Sequence, residues 1–268
     1  MRRFSVIIPT WKNLACLDAA YRSVVEHSGA DHELIVFFNE YDEECERWLE
    51  GKNVIHGYSD SNLGVCGAVN RASELMTTDY ICFMNDDMYA LPGWDTALSC
   101  YLGMSDKLWL SGTAVEAGKA TTCYIGGHDY GDSPETFQES KLLAEHERLR
   151  RPYNVVSTWT PILLSRRDWE AIGGFDEEYF PGNGSDPDLA MKMYRHGCRY
   201  FIGVGASLVY HFSRTTISRF DSKKTGLMDP RVYFKKKWGV SRRRFLNRMI
   251  CRDRVVTAEY LEKVQHTS

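Results

Sequence analysis

Short apolar runs alternate with stretches of helical periodicity through the first third of the chain. The predicted strands cover residues 4–9, 33–38, 54–58 and 80–84. The predicted helices cover residues 14–27, 43–50 and 65–76. Alternation of this kind builds βαβ units around a mostly parallel sheet, with ligands at the carboxyl ends of the strands. We therefore expect an α/β fold in which the loops after the first, second and fourth strands face one crevice.

The fourth predicted strand ends in the triplet Asn85-Asp86-Asp87. Two carboxylates at one strand end repel each other unless a cation lies between them. Hard oxygen ligands of this kind suit Mg²⁺ or Mn²⁺, usually shared with a phosphate group. A solvated turn or an acidic helix cap before Pro92-Gly93 is the alternative interpretation. The metal interpretation predicts a nucleoside-diphosphate substrate.

Composition and charge narrow the class of protein. The 268 residues suit one large α/β domain with a tail, and no apolar stretch reaches the roughly 20 residues that a membrane crossing needs. The eight cysteines show neither a CxxC pair nor a zinc spacing, which indicates a reduced, cytoplasmic protein. From residue 216 onwards 14 Lys and Arg face 5 Asp and Glu, a net charge of +9, whereas residues 1–215 carry −12. An acidic body therefore carries a basic tail.

The regular pattern weakens after residue 112 and returns near residue 158. The irregular part, about 112–157, is where an α/β enzyme would insert a substrate-specific segment. The regular stretch covers residues 158–164, and it is followed by a predicted helix at 166–172 that ends at two glycines. Another helix is expected to begin near Asp186-Pro187-Asp188, because a proline flanked by aspartates favours a helix start.

Five stretches, in this order, together resemble glycosyltransferase family 2 over residues 4–215. They are SVIIPT at 5–10, SNLGVCGAVN at 61–70, the stretch from 85 to 95, GGFD at 173–176 and GSDPDL at 184–189. The resemblance implies a GT-A (Rossmann-like) fold, a nucleoside-diphosphate-sugar donor, a divalent metal and inversion at the anomeric carbon. It also implies a GT-A domain over 1–215, with a variable acceptor segment at about 112–157, and a basic helical extension over 216–268.

The resemblance assigns the metal ligands. Asn85-Asp86-Asp87 matches the DxD motif of the family, so Asp87 is expected to bind the metal that bridges the diphosphate. Asn85 replaces the aspartate that often meets the ribose, and it keeps a hydrogen-bonding side chain. His211 matches the later histidine that commonly completes the metal shell. A structural histidine at the end of a strand is the alternative for His211.

The resemblance also assigns the catalytic base. Asp186 matches the second acid of the family's ED pair, the general base that takes a proton from the acceptor hydroxyl. Ser185 stands in place of the first acid, although one carboxylate is enough for a single displacement. Asp186 could instead cap its helix, and Asp188 is the next candidate if the register is shifted by two residues.

The remaining expected contacts concern the donor and the acceptor. The expected donor-binding residues are Thr10, Trp11, Asn39, Glu40, Asn62, Gly64, Asn70, Asn85 and Asp86. Asn39-Glu40 stands where many relatives carry an acidic residue that recognises uracil. The usual DxS pattern is missing there, so the resemblance favours a uridine nucleotide without excluding guanosine or thymidine. The acceptor candidates are His128, Trp159 and Asp188, and Trp159, Trp169, Tyr179 and Phe180 could form an aromatic platform for a sugar or belong to the core.

Three functions remain open at this point. The first is inverting sugar transfer to a saccharide hydroxyl, such as that of a surface polysaccharide or lipopolysaccharide. The second is glycosylation of a hydroxylated nucleobase in DNA, with the basic tail binding phosphates. The third is a non-catalytic binder of sugar nucleotides, because Asn85 and Ser185 stand where acids are expected.

The tail adds its own open question. Residues 242–250 interleave cations with apolar side chains at helical spacing, which predicts a basic amphipathic helix. Its apolar face could pack on the acidic body, lie on an anionic membrane that carries a lipid-linked acceptor, or follow a nucleic acid. The membrane alternative would place the protein peripherally at the bilayer.

Overall fold

The structure is a computed structural model that describes residues 2–121, 124–212 and 228–265. Its strands are β1 Ser5–Thr10, β2 Glu33–Asn39, β3 Ile55–Ser59, β4 Tyr80–Phe83, β5 Met88–Ala90, β6 Leu108–Val115, β7 Tyr124–Ile125, β8 Ile162–Ser165 and β9 Tyr200–His211. Its helices are α1 Leu14–His27, α2 Glu43–Leu49, α3 Gly64–Ser73, α4 Trp94–Ser99, α5 Glu139–Leu149, α6 Arg166–Ile172, α7 Ser185–Arg195, α8 Pro230–Trp238, α9 Arg242–Arg244 and α10 Ala258–Gln265.

The strands described by the structure form one sheet in the order β3-β2-β1-β4-β8-β6-β9-β5, with β7 on β6. The neighbours β3, β2, β1 and β4 run parallel, as do β6 and β9. Strand β8 is antiparallel to β4 and β6, and β5 is antiparallel to β9. The predicted α/β class with a mostly parallel sheet is confirmed.

The sheet has a hydrophobic core on each face. Along β1, Val6 and Ile8 belong to one core cluster and Ile7 belongs to the other. Side chains of a strand point alternately to the two faces, so a continuous apolar run fills both cores when helices cover both faces. This is why all six residues of β1 are buried.

The local predictions and the structure differ in a few places. Helices α1 and α6 have the predicted bounds. Helix α3 ends at Ser73, three residues before the predicted end. Strand β5 was not predicted from the sequence, and its three residues pair with the end of β9. The segment 112–157 contains the end of β6, strand β7 and helix α5.

The C-terminal segment packs on the body. Residues 242–250 form one α-helical turn, α9, that continues into a π-helical stretch, Phe245–Met249. The apolar side chains of Phe245, Leu246 and Ile250 are buried in the same core cluster as the α8 residue Phe234. The predicted boundary between residues 215 and 216 lies outside the described residues. In the ranges that the structure describes, no helix has the length and apolarity of a membrane span.

Candidate active site

Several predicted site residues meet at one edge of the sheet. Thr10 ends β1, Asn39 ends β2, and the triplet 85–87 follows β4. Because these three strands are parallel neighbours, their carboxyl ends lie side by side. Thr10 Oγ1 donates a hydrogen bond of 2.7 Å to Asp86 Oδ2 and thereby joins two of the strand ends.

Asp87 and His211 face each other although they lie far apart in sequence. Strand β5 aligns Met88 with His211, and the Phe212 amide donates to the Asp87 carbonyl at 3.0 Å. The Asp87 carboxylate is buried, and its Oδ2 lies 3.5 Å from His211 Nε2. The short antiparallel ladder therefore brings together the two residues that the sequence proposed as metal ligands.

Glu116 is a third member of this group and was not predicted from the sequence. It follows β6, which runs parallel to β9, and its Oε2 lies 3.1 Å from His211 Nδ1. Burial lowers the pKa of His211, but the hydrogen bonds to Asp87 and Glu116 outweigh burial and raise the pKa to about 10. The imidazole ring is thus held between two carboxylates. Glu116 could have been predicted from its position directly after an apolar strand, which is also the position of Asp86 and Asp87.

The donor set at this edge fits a divalent metal that is shared with a substrate. Asp87 offers carboxylate oxygens, and His211 offers a ring nitrogen once the metal displaces the proton from it; both are ligand types for Mn²⁺. Among the described residues no group of three His, Cys, Asp or Glu is arranged to hold an ion alone. Mg²⁺ and comparable ions are commonly held by one or two protein ligands together with phosphate oxygens and water. The residues present therefore fit an ion completed by a diphosphate.

The loop after β1 is tied to the loop after β2 through Glu40. Trp11 Nε1 donates to Glu40 Oε2 at 2.9 Å, and Lys12 Nζ lies 2.6 Å from Glu40 Oε1. The hydrogen bonds from Lys12 and Trp11 lower the pKa of Glu40. Glu40 and Lys12 both adopt a positive φ, 65° and 50°. The expected nucleotide-contacting residues are thus linked in one surface, on which Asn85 is half-buried.

Asn39, Asn62 and Gly64 shape the loop that leads into α3. Asn39 Oδ1 accepts from the Leu63 amide at 3.0 Å, and Asn62 Oδ1 accepts from the Gly64 amide at 2.8 Å. Gly64 has a φ of +72°, and a Cβ there would lie 2.9 Å from Phe180 Cδ2. Gly64 thus lies close to Phe180, and its predicted contact with the donor stays a prediction.

Two residues proposed as substrate contacts hold parts of the scaffold together, and the first is Asn70. Its Oδ1 accepts from the Phe175 amide at 2.9 Å, and its Nδ2 donates to the Phe175 carbonyl at 3.1 Å and to Glu177 at 3.0 Å. All the polar atoms of the Asn70 amide are engaged in fixing residues 175–177 to α3. The donor-binding role of Asn70 stays a prediction.

The second is Asp188, which is fully buried. It accepts hydrogen bonds from Tyr179 at 3.1 Å, Trp238 Nε1 at 2.6 Å and Lys237 Nζ at 2.7 Å. Both carboxylate oxygens are therefore occupied by neighbours, and α8 closes over them. Asp188 is thus engaged within the scaffold, and its role as an acceptor contact or alternative base stays a prediction.

Asp186 differs from Asp188 in its burial and in its hydrogen bonds. It is half-buried in the first turn of α7, and its side chain makes no hydrogen bond with any residue in the described ranges. Burial raises the pKa of its carboxyl group to about 7. The helix cap is Gly184, with a φ of 86°, and no side chain caps this end by a hydrogen bond. Asp186 thus has the properties of a proton acceptor near neutral pH.

The acceptor candidates lie around β7 and the segment after it. The His128 amide donates to the Glu116 carbonyl at 3.3 Å, and Trp159 packs against Tyr124 with ring centroids 5.1 Å apart. A cavity of about 350 Å³ next to Phe212 is lined by polar side chains that include Asp129. Of the proposed aromatic platform, Trp169 and Tyr179 are buried in the core and cannot offer a face to a sugar.

Known proteins share the sequence pattern and the fold. The sequence matches the model of the family described as Glycosyl transferase family 2 over residues 5–168. The structure resembles that of GalNAc-T7 with UDP, GalNAc and Mn²⁺, with a TM-score of 0.60, 13% identity and 79% of this chain covered. It also resembles S. aureus TarS 1–349, with a TM-score of 0.53, 11% identity and 79% covered. This chain spans 44% and 58% of those two chains. No curated protein matches the sequence.

Proposed function

The chain belongs to glycosyltransferase family 2, and on that premise we propose that it transfers a sugar from a nucleoside-diphosphate-sugar to a hydroxyl of a saccharide acceptor. The likeness to GalNAc-T7 and TarS confirms the GT-A fold. The observation that carries the proposal is the meeting of Asp87 and His211 at the carboxyl edge of the sheet, 3.5 Å apart. A UDP-sugar is the favoured donor, since the GalNAc-T7 structure holds UDP, GalNAc and Mn²⁺.

Asp87 and His211 would hold the divalent metal, Mn²⁺ or Mg²⁺. When bound, this ion acts as a Lewis acid that neutralises the charge on the leaving diphosphate. Glu116 engages Nδ1 of His211 and so leaves Nε2 directed at Asp87. Thr10 holds the Asp86 carboxylate at 2.7 Å and keeps the loop after β4 against the end of β1.

Asp186 would be the general base. Its carboxylate takes the proton of the acceptor hydroxyl as that oxygen attacks the anomeric carbon, while the bond from this carbon to the diphosphate oxygen breaks. A single displacement of this kind inverts the anomeric configuration and needs one carboxylate. A pKa of about 7 leaves Asp186 largely ionised at slightly alkaline pH and still basic enough to accept the proton.

The acceptor is assigned as a class of molecule, and the location is assigned as a cellular compartment. We propose a saccharide acceptor, as in a surface polysaccharide or lipopolysaccharide, which enters on the side of His128 and Trp159. The reduced cysteines in the sequence favour a cytoplasmic protein. The domain division at residue 215 remains part of the proposal.

The experiment measures UDP release from a panel of UDP-sugars with Mn²⁺, in the wild type and in Asp186→Asn. Asp186→Asn should lose on the order of 100-fold in turnover, the usual scale for removing a general base. It should keep the thermal stabilisation that the donor gives the wild type. Asp31→Asn, an exposed carboxylate before β2, is the matched control. Donor binding without turnover in the wild type would favour the non-catalytic binder, and no binding at all would refute the proposal.

A further inference from the structure

The C-terminal segment presents a cationic surface. We define the basic face as Lys235, Lys236, Arg243, Arg244 and Arg248, all of which are exposed. None of these side chains forms an ion pair with a residue in the described ranges. Some exposed cations elsewhere on the protein are paired, as Arg47 is with Glu43 and Glu44. The basic face therefore carries charge that its described surroundings do not neutralise.

The backbone beneath the basic face is anchored in the core. Phe234 of α8 and Phe245 after α9 are fully buried, and their rings lie 6.0 Å apart in a stacked arrangement. Leu246 and Ile250 are buried in the same cluster. Both elements thus turn their apolar sides to the core and their cations outward. The cations are held on a rigid support, which lowers the entropy lost when they bind a partner.

Positive charge accumulates next to the basic face as well. Arg242 is half-buried, and burial together with the charges of Arg231 and Arg252 lowers its pKa. Concentrated like charges destabilise a folded chain unless a partner of opposite charge binds. This surface is therefore expected to bind an anionic partner.

Apolar side chains beside the cations identify the class of anion. Val232 is 59% exposed, and it precedes Lys235 and Lys236 by three and four residues, so the three share one face of α8. Met228, just before this helix, is 53% exposed. A bilayer accepts apolar side chains below its headgroups and cations at them, whereas a nucleic acid uses only the cations.

We propose that the basic face, with Val232 and Met228, docks the protein on an anionic phospholipid bilayer. A hollow of about 760 Å³ lined by Ser241, Arg243, Arg244, Asn247 and Arg248 gives headgroup phosphates room among the guanidinium groups. The side chains involved lie outside the proposed catalytic residues. Membrane docking and sugar transfer can therefore succeed or fail independently of each other.

The test is flotation of the full chain with vesicles of phosphatidylglycerol and phosphatidylcholine, against vesicles of phosphatidylcholine alone. The wild type should bind only the anionic vesicles, and binding should weaken as salt rises. The triple variant Arg243→Gln/Arg244→Gln/Arg248→Gln should bind on the order of 100-fold more weakly, since each cation near the surface contributes about one factor of five. Val232→Ser should weaken binding at every salt concentration.

The control is Arg47→Gln/Arg148→Gln/Arg167→Gln, which removes three exposed arginines elsewhere and should bind like the wild type. All the substituted side chains are exposed, so thermal melting should show folded variants with unchanged stability. Wild-type protein that stays away from anionic vesicles would overturn the proposal. Binding to duplex DNA that depends on the same arginines, with vesicle binding insensitive to them, would also overturn it and would favour a nucleic-acid surface.

Discussion

Lys237 joins α8 to the helix that carries Asp186. Its Nζ lies 2.6 Å from Asp176 Oδ2 and 2.7 Å from Asp188 Oδ2, and the side chain of Asp188 is 1% exposed. We expect Lys237→Met to destabilise the protein strongly, because methionine keeps most of the aliphatic packing but leaves two carboxylates without their cation. The exposed neighbour Lys236 makes no ion pair with a described residue, so Lys236→Met is the matched control.

The structure sets the size of the effect. Removing one partner of a buried ion pair costs about 3–5 kcal/mol. The lower end applies here, because the Lys237 side chain is 22% exposed and water screens part of its charge. A loss of about 3 kcal/mol lowers the urea midpoint by about 1 M if m is about 3 kcal/mol per M. The control should shift by less than about 0.5 kcal/mol, the usual range for surface substitutions.

The pH dependence supplies a second readout. Burial raises the pKa of Asp176, but hydrogen bonds, led by that from Lys237, outweigh burial and lower it below its ordinary value of 3.8. Stabilisation by a carboxylate of lowered pKa is present above pH 3.8 and is lost as the pH falls through the folded-state value. The difference in urea midpoint between wild type and Lys237→Met should therefore become smaller at acidic pH. Equal midpoints for Lys237→Met and Lys236→Met at pH 7 would refute the reasoning.

Two further predictions concern Asp186 and Gly64. The transfer rate should rise as pH increases through about 7, because Asp186 accepts a proton only when ionised, and Asp186→Asn should lose this dependence. The fold raises the pKa of Asp186, so the ionised carboxylate at pH 8 destabilises the folded protein, and Asp186→Asn should have a higher melting temperature than wild type at that pH. A lower melting temperature would contradict this. Gly64→Ala should be less stable than Gly173→Ala by about 1–3 kcal/mol in urea denaturation. Both glycines have positive φ, but only at Gly64 would the added Cβ meet neighbours, the Phe180 ring and the Pro181 backbone. Equal losses of stability would contradict this prediction.

The first half of the sheet was predictable because its signals are local. Continuous apolar runs mark β1, β2 and β4, and helix α1 has the predicted bounds, Leu14–His27. Strand β5 was not predictable in this way. It has three residues, and it exists because Met88 pairs with His211, far along the chain. A strand formed by tertiary pairing leaves no periodicity in a short segment.

In the candidate site, too, the residues with a local sequence signal were predictable and those that depend on distant contacts were not. Asp87 and His211 were proposed because motif positions mark them, and the structure brings them together. Glu116 was missed because its contact with His211 spans 95 residues and no motif includes it. Asn70 and Asp188 occupy motif-like positions but bond to Phe175 and Lys237, 105 and 49 residues away. Sequence order alone does not reveal such partners.

Calorimetric titration of UDP with and without Mn²⁺ tests the central claim most directly, because it reports the site whether or not the acceptor is known. We predict that wild-type protein binds UDP tightly with Mn²⁺ and weakly with EDTA. Asp87→Asn should lose the manganese-dependent part of the affinity, since the buried carboxylate that holds the ion is gone. Asp31→Asn should bind like the wild type. Equal affinity with Mn²⁺ and EDTA, or an unchanged titration for Asp87→Asn, would contradict a metal-dependent donor site at this edge of the sheet.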